Sequence, residues 1–104
     1  MLELRPNCEL CDCELPPESE DARICSYECT YCAGCVEGIL ENVCPTCGGG
    51  FAPRPIRPTR SWRPEKRLGL GFDPASEVRR HSPFTAQEIR SHVARIRHLA
   101  PGER

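Results

Sequence analysis

The chain has 104 residues, including nine cysteines, 11 prolines and three histidines, and its formal net charge is −1. This length allows one ordinary domain at most, and the cysteine count indicates a metal-bound or disulfide-bonded framework. The charge is unevenly distributed: residues 1–50 carry ten acidic and two basic groups, and residues 51–104 carry five acidic and twelve basic groups. We therefore do not expect the acidic first half to bind nucleic acid.

The first residues and the hydropathy of the chain indicate the cellular compartment in which we expect the protein. Residues 1–6 lack the charged and apolar regions of a signal peptide, and no apolar stretch is long enough to cross a membrane. We therefore expect a cytoplasmic protein without a membrane partner. Reduced thiols bind metal rather than form disulfides, and an odd number of cysteines is compatible with this.

The first segment, residues 1–50, contains all nine cysteines and too few apolar side chains for an independent core. Bound metal must supply the missing stability. The sequence LPPESED (15–21) predicts a polar loop, ARICSYE (22–28) a short extended pair, and VEGILENV (36–43) a two-turn helix with apolar residues at helical spacing. We expect a hairpin around residues 15–28.

The second segment, residues 51–83, is rich in proline and arginine and predicts a flexible basic arm. Its prolines lack backbone donors, so we expect no sheet pairing and a polyproline-like or disordered chain. Five basic residues at every third position would then lie along one edge: Arg54, Arg57, Arg60, Arg63 and Lys66. This basic ridge is a solvated linker, a tail that folds back on the acidic half, or a site for a polyanion, with Trp62 available for stacking on bases.

The third segment, residues 84–100, predicts an amphipathic helix. Thr85 and Glu88 can form a capping box, and Phe84 can pack on Ile89. One face is apolar, and the rest carries arginine and histidine. A helix this short is marginal alone, so we expect it to pack on the cysteine module, a second copy of the chain or a partner.

The cysteine spacing predicts two four-sulfur metal sites, for which two assignments are possible. In the sequential assignment, Cys8, Cys11, Cys25 and Cys29 bind one zinc ion, and Cys32, Cys35, Cys44 and Cys47 bind the other. In the interleaved assignment, Cys8, Cys11, Cys32 and Cys35 bind the first zinc ion, and Cys25, Cys29, Cys44 and Cys47 bind the second. Four thiolates at tetrahedral angles leave no open coordination position.

We favour the interleaved assignment because it cross-links one small fold, whereas sequential sites would leave two loops with little to bury between them. Zinc is preferred to iron because the sites need only hold shape. Cys13 is left over. Its neighbours Asp12 and Glu14 raise a thiol's pKa, so we expect it to be a bystander.

The eight cysteines resemble the cross-brace of the RING finger, and Leu10 and Pro45 match residues common in its first and last knuckles. More specifically, MLELRPNCE, LPP, DARICSYECTYCAGC, CPTCGG and RPIRP resemble the domain of unknown function 1272 family of small bacterial proteins. That resemblance covers residues 1–58 and implies a zinc-binding module without an assigned activity. The RING resemblance does not carry ubiquitin-ligase function with it, because such ligases usually have a basic residue where this chain has Gly48.

Together these observations predict a small zinc-stabilised α+β module, RING-like or treble-clef in type, with two structural zinc ions per chain. Closed zinc sites cannot activate water, and the three histidines all lie in the tail, so we expect no enzyme. We expect an adaptor that binds a protein partner. The alternatives are a nucleic-acid-binding accessory protein, acting through the basic ridge and the helix, and a RING-type ubiquitin-ligase-like factor.

Overall fold

The computed structural model describes all 104 residues as a small α+β protein. The elements in chain order are β1 (Ala22–Ile24), β2 (Thr30–Cys32), α1 (Ala33–Gly38), β3 (Ala52–Pro53), a 3₁₀ turn (Pro64–Lys66), α2 (Ala86–Ile96) and a second 3₁₀ turn (Pro101–Glu103). Strand β1 lies in the centre of an antiparallel sheet of order β2-β1-β3. No helix is both long enough and apolar enough to cross a bilayer.

Helix α1 begins and ends earlier than the sequence predicts. Cys32 is its N-cap, with the sulfur accepting a hydrogen bond from the N–H of Cys35, and the helix ends at Gly38. Glu41 and Asn42 then adopt the left-handed conformation, with φ values of 48° and 61°. The prediction of a helix over residues 36–43 was therefore wrong, because this turn redirects the chain toward its last two cysteines.

The prediction that the proline-rich segment cannot pair into a sheet was wrong at its start. Strand β3 pairs Ala52 with Ile24 and Pro53 with Arg23, and the N–H of Arg54 donates to the carbonyl of Ala22 at 3.0 Å. Proline is tolerated because β3 is an edge strand, where its missing donor faces away from the ladder. The sheet therefore includes residues beyond position 50.

The five basic residues of the predicted ridge do not share one exposed edge. Arg54 is 4% exposed and donates to the carbonyls of Arg5, Leu15 and Pro16 at 2.8–3.1 Å. Arg57 donates to the carbonyls of Leu2 and Asp73 at 2.7 and 2.9 Å. The two guanidinium groups nearest the cysteine module thus fasten the arm to the N-terminal residues.

Further along, the arm closes a loop. The N–H of Leu70 donates to the carbonyl of Pro58 at 2.9 Å. Gly69 lies between the ends of this loop with φ +98°, and a Cβ at this position would lie 2.9 Å from the carbonyl oxygen of Arg60. Glycine is required here both by its backbone angle and by the close approach of two chain segments.

Helix α2 packs on the cysteine module. Thr85 Oγ1 accepts from the N–H of Glu88, and the Glu88 carboxylate accepts from the N–H of Thr85, forming a capping box. Its buried side chains, Ile89 and Val93, belong to a single core cluster. The other members are Cys8, Leu15, Ala22, Tyr31, Cys32, Cys35, Val36, Leu40 and Val43.

The basic second half also contacts the acidic first half through ion pairs. Arg79 binds Asp12 at 2.7 Å and Glu14 at 2.6 Å, and Arg97 binds Glu41 at 2.7 Å. These pairs are exposed and individually weak. They nevertheless pair basic groups of the second half with acidic groups of the first half of the same chain, as expected of a tail that folds back.

Replacing Thr85 with alanine is expected to lower the free energy of unfolding by about 1 kcal/mol, because the N–H of Glu88 loses its acceptor. Urea titration of the metal-loaded protein measures this. Thr59→Ala, at an exposed position in the arm, is the matched control and should change little. Equal midpoints for the two variants would contradict the role assigned to the cap.

Replacing Arg54 with methionine is expected to cost about 1–3 kcal/mol of unfolding free energy, since three carbonyl oxygens lose a charged donor inside the protein. Arg60→Met, at an exposed position of the same arm, is the control. Chemical denaturation followed by circular dichroism gives both values. A loss no greater than that of the control would mean that the arm is not held through Arg54.

Candidate metal centres

Sulfur atoms from distant parts of the chain gather at two places. At the first, the sulfurs of Cys8, Cys11, Cys13 and Cys32 all lie within 4.8 Å of one another. Cys35 lies beside them, one helical turn beyond Cys32, and its N–H donates to the Cys32 sulfur at 3.5 Å. The first group therefore joins a loop near the N-terminus to the start of α1.

At the second place, the sulfurs of Cys25, Cys44 and Cys47 lie within 4.8 Å of one another. Cys29 lies across the same turn, where its carbonyl accepts from the N–H of Cys25 at 3.2 Å, and the Cys44 and Cys25 thiols lower the pKa of its own thiol. This group joins the β1–β2 connection to the chain that follows α1. Each of the two groups of cysteines could hold a metal ion.

The structure thus gathers three of the four residues that the interleaved assignment gives to each site, namely Cys8, Cys11 and Cys32 at the first and Cys25, Cys44 and Cys47 at the second. It differs over Cys13, which sequence reasoning left outside both sites and whose sulfur lies within the first group. The expected bystander is therefore a fifth thiol beside four predicted ligands. Its flanking acidic residues predicted a raised thiol pKa, and in the structure both of them are paired with Arg79.

Backbone N–H groups surround the sulfur atoms. Leu10 and Cys11 donate to the sulfur of Cys8, both at 3.5 Å. In the second group, Tyr27 donates to Cys25 and Gly49 donates to Cys47, both at 3.3 Å. Such donors favour the thiolate over the thiol, which is the form that binds metal.

The spacing of the sulfur atoms fits a tetrahedral ion. With zinc–sulfur bonds of about 2.3 Å, tetrahedral geometry requires sulfur atoms about 3.8 Å apart. The sulfurs of Cys11 and Cys32 are 3.8 Å apart. All nine cysteines are free thiols, so no disulfide competes for the sulfur atoms. The residues present therefore fit a four-thiolate metal site.

The thiols have opposed pKa shifts, as expected of sulfurs packed closely together. The pKa of Cys11 falls to about 7, chiefly because the backbone N–H of Cys13 donates to its sulfur. The pKa of Cys29 falls to about 6, chiefly because the Cys44 thiol donates to it. Partial desolvation of its sulfur, together with the neighbouring Cys11 and Cys32 thiols, raises the pKa of the otherwise exposed Cys13 to about 12, and burial raises that of Cys25 to about 11. Because metal binds the thiolate, its binding at either group must release the protons of the remaining thiols.

A buried ion pair fastens the first group to the sheet. The carboxylate of Glu9 accepts from Arg5 at 2.9 Å and from the N–H of Thr30 at 2.6 Å. The N–H of Glu9 donates to the carbonyl of Thr30 at 2.9 Å. Because Thr30 begins β2, the Cys8–Cys11 loop is held against the strand that leads to Cys32.

Two polar side chains from the second half also position the cysteine loops, and sequence reasoning missed both roles. His92 of α2 lies 3.0 Å from the carbonyl of Cys44 through Nε2. Arg104 donates to the carbonyls of Asn42 and Gly48 at 2.8 and 3.0 Å. Neither residue lies near a cysteine in sequence, so no spacing pattern could have identified it.

Comparison with known proteins gives a family but no activity. The family model described as "Protein of unknown function (DUF1272)" matches residues 1–57. A protein of Rhizobium meliloti (strain 1021), described as uncharacterized, is 62% identical over 58 residues, which is 56% of this chain and 69% of the relative. No solved structure matches. The matched region contains all nine cysteines together with Arg54 and Arg57. Because the family model covers more than half of the chain, the protein belongs to the DUF1272 family.

Proposed function

We propose that this protein is a non-catalytic module with two structural zinc ions, which presents a surface to a protein partner. The observation that carries the proposal is the crossing of the two cysteine groups. The first takes its sulfurs from before β1 and from the end of β2 onward, and the second from the β1–β2 connection and from beyond α1. Metal ions at both places would tie β1, β2 and α1 to one another and to the loops that flank them.

Zinc suits this role because it has no redox chemistry and accepts four thiolates at tetrahedral angles. Strands of two or three residues and a helix of six cannot be stable alone, so cross-links are needed. The crossed order and the Cys-x2-Cys knuckles support a RING-like or treble-clef classification. When bound, zinc would supply a rigid framework, and the protein residues would provide everything that a partner contacts.

Two of the three histidines, His81 and His92, are hydrogen-bonded within the protein, which supports a binding role. His81 lies 3.0 Å from Asp12, and His92 is hydrogen-bonded to the carbonyl of Cys44. A four-thiolate zinc site has no open position for water. The chemistry of these groups is structural.

The surface offered to a partner is an apolar cleft of about 330 Å³ between the N-terminal residues and the arm. Its apolar walls are formed by Met1, Leu2, Leu4, Ile56 and Leu68. Ile56 and Leu68 are 51% and 53% exposed. An exposed apolar cleft of this kind suits an aliphatic or aromatic side chain of a partner protein.

The RING-type ligase alternative is less well supported. The residues that match the RING pattern, Leu10 and Pro45, are not free: Leu10 packs against the core, and Pro45 is buried beside α2. A conjugating enzyme would need both to be accessible.

Removal of metal is expected to unfold residues 1–50 cooperatively, because the remaining apolar core is too small. Near-ultraviolet circular dichroism of a Trp62→Phe variant isolates the two tyrosines, of which Tyr31 is fully buried and 5.5 Å from the ring of Phe51. Chelator should abolish this signal, and adding two equivalents of zinc should restore it. A signal and a protease resistance that survive chelation would contradict the proposal.

A second candidate function, binding of single-stranded nucleic acid, is favoured by one observation at the tip of the arm. Trp62 is 75% exposed and lies among Arg60, Arg63 and Lys66, all of which are exposed. Exposed aromatic rings beside basic groups can stack on bases while the basic groups contact phosphates.

If the arm tip binds nucleic acid, affinity for an unstructured oligonucleotide should fall with salt, with a log–log slope of about −2 for three phosphate contacts. Trp62→Ala should weaken binding, whereas Tyr27→Ala, which removes an equally exposed aromatic ring (74%) from the acidic half, should not. Fluorescence anisotropy of a labelled oligonucleotide measures both. No binding at low salt would eliminate this candidate.

A further inference from the structure

The Cys8–Cys11 loop and the Cys44–Cys47 loop have the same backbone geometry. In each, the residue four positions after the first cysteine is left-handed: Asp12 has φ 66° and Gly48 has φ 80°. Each donates its N–H to the carbonyl of that first cysteine, Cys8 or Cys44, at 2.9 Å. The loops are therefore directly comparable, residue by residue.

The next residue is Cys13 in the first loop and Gly49 in the second, and the two are equivalent. The carbonyl of Cys13 accepts from the N–H of Cys8 at 2.9 Å, and that of Gly49 accepts from the N–H of Cys44 at 2.8 Å. The N–H of Gly49 also donates to the Cys47 sulfur at 3.3 Å, and the backbone of Cys13 is the largest cause of the lowered pKa of the Cys11 thiol.

This position directs a side chain toward the sulfur atoms. A Cβ at Gly49 would lie 3.4 Å from the Cys47 sulfur. In the first loop the corresponding side chain exists, and its sulfur lies within 4.8 Å of those of Cys8, Cys11 and Cys32. The second loop has glycine where the first has a thiol, so only the first group contains five sulfurs.

A tetrahedral zinc ion accepts four of these five. Two sets of four ligands are possible at the first site. Both contain Cys8, Cys11 and Cys32, and the fourth ligand is either Cys13 or Cys35. Cys35 is 6% exposed within α1, whereas Cys13 is exposed on the loop. The two candidate ligands therefore approach the first site from the interior and from the solvent side.

We propose that Cys13 and Cys35 are interchangeable fourth ligands of the first zinc site, and that Cys13 makes this site exchange its metal with solution while the second site holds its metal. The inference rests on the proposed function, since it requires a zinc ion bound there. In the exchange, a bond from metal to the Cys13 sulfur forms as the bond to the Cys35 sulfur breaks. The proton of the Cys13 thiol passes to the Cys35 thiolate, so the charge of the site does not change.

The exchange path has a structural rationale. With a spare thiol, one ligand can dissociate while four sulfurs remain available, so the metal ion need not fall to three-sulfur coordination. The loop that carries Cys13 is held in place by Arg79, which binds the carbonyl and carboxylate of Asp12 and the carboxylate of Glu14. The thiol is thus presented at a fixed position on the outside of the site.

Native mass spectrometry of the zinc-loaded full chain tests the ligand assignment. Cys35→Ser should keep two metal ions, since Cys13 completes the first site, and so should Cys13→Gly; the double variant should lose tight binding of one ion. Cys47→Ser, in the group without a spare thiol, should lose one ion. Loss of one ion from Cys35→Ser alone, in a protein that still binds the other, would overturn the proposal.

Exchange of bound zinc for isotopically enriched zinc, measured by native mass spectrometry, tests the proposed metal exchange. This test does not depend on the folding of Cys35→Ser. The wild-type chain should exchange one ion several-fold faster than the other. Cys13→Gly should remove the fast phase, and Gly49→Cys should create one at the second site. Equal rates for both ions in the wild-type chain, or a fast phase that persists in Cys13→Gly, would overturn the proposal. A wild-type chain that binds no metal would instead refute the proposed function, so the two failures are distinguishable.

Discussion

The order in which the cysteines are used is the constraint on which this structure depends. Because Cys25 comes between Cys11 and Cys32 in sequence but gathers with Cys44 and Cys47, the two groups are interleaved along the chain. The hairpin of β1 and β2 is therefore held at both ends, at its turn by one group and at its exit by the other. Elements too short to be stable alone become parts of one cross-linked unit.

The second half of the chain completes this unit rather than hanging from it. Arg54 extends from the edge strand to three carbonyls of the N-terminal segment. Ile89 and Val93 of α2 join the same core as Cys8 and Cys35. Arg79 and Arg97 neutralise acidic residues beside both cysteine groups. The opposite charges of the two halves thus serve in part to fasten one half to the other.

Local chemistry made some features predictable. The knuckle spacing indicated which cysteines would turn together, and the Thr85–Glu88 pair indicated where a helix would begin, because both signals act over a few residues. Features that depend on contacts between residues distant in sequence could not be predicted. The burial of Arg54 requires carbonyls about 40 and 50 residues away in sequence. The pairing of residues 52–53 depends on the free edge of β1, which the proline-rich sequence does not indicate.

The position of Cys13 is a further feature that could not be predicted from the sequence. Counting cysteines in sets of four leaves it over, and its acidic neighbours suggest an inert thiol. The structure places its sulfur within 4.8 Å of those of Cys8, Cys11 and Cys32, and the equivalence of Cys13 and Gly49 in two matching loops explains why this position faces the sulfur atoms. That comparison needs backbone geometry, although the sequence differs visibly at these positions: the last knuckle is followed by Gly48 and Gly49, and the first by Asp12 and Cys13.

The most direct test of the crossed arrangement is the metal content of a Cys25→Ser/Cys44→Ser double variant, measured by native mass spectrometry against the wild-type chain. If the two cysteines belong to one site, as the structure arranges them, the first group keeps its full set of sulfurs. The variant should then retain one tightly bound zinc ion. Loss of tight binding at both sites, with the wild-type chain binding two ions, would mean that the two cysteines serve different metals and would contradict the crossed fold.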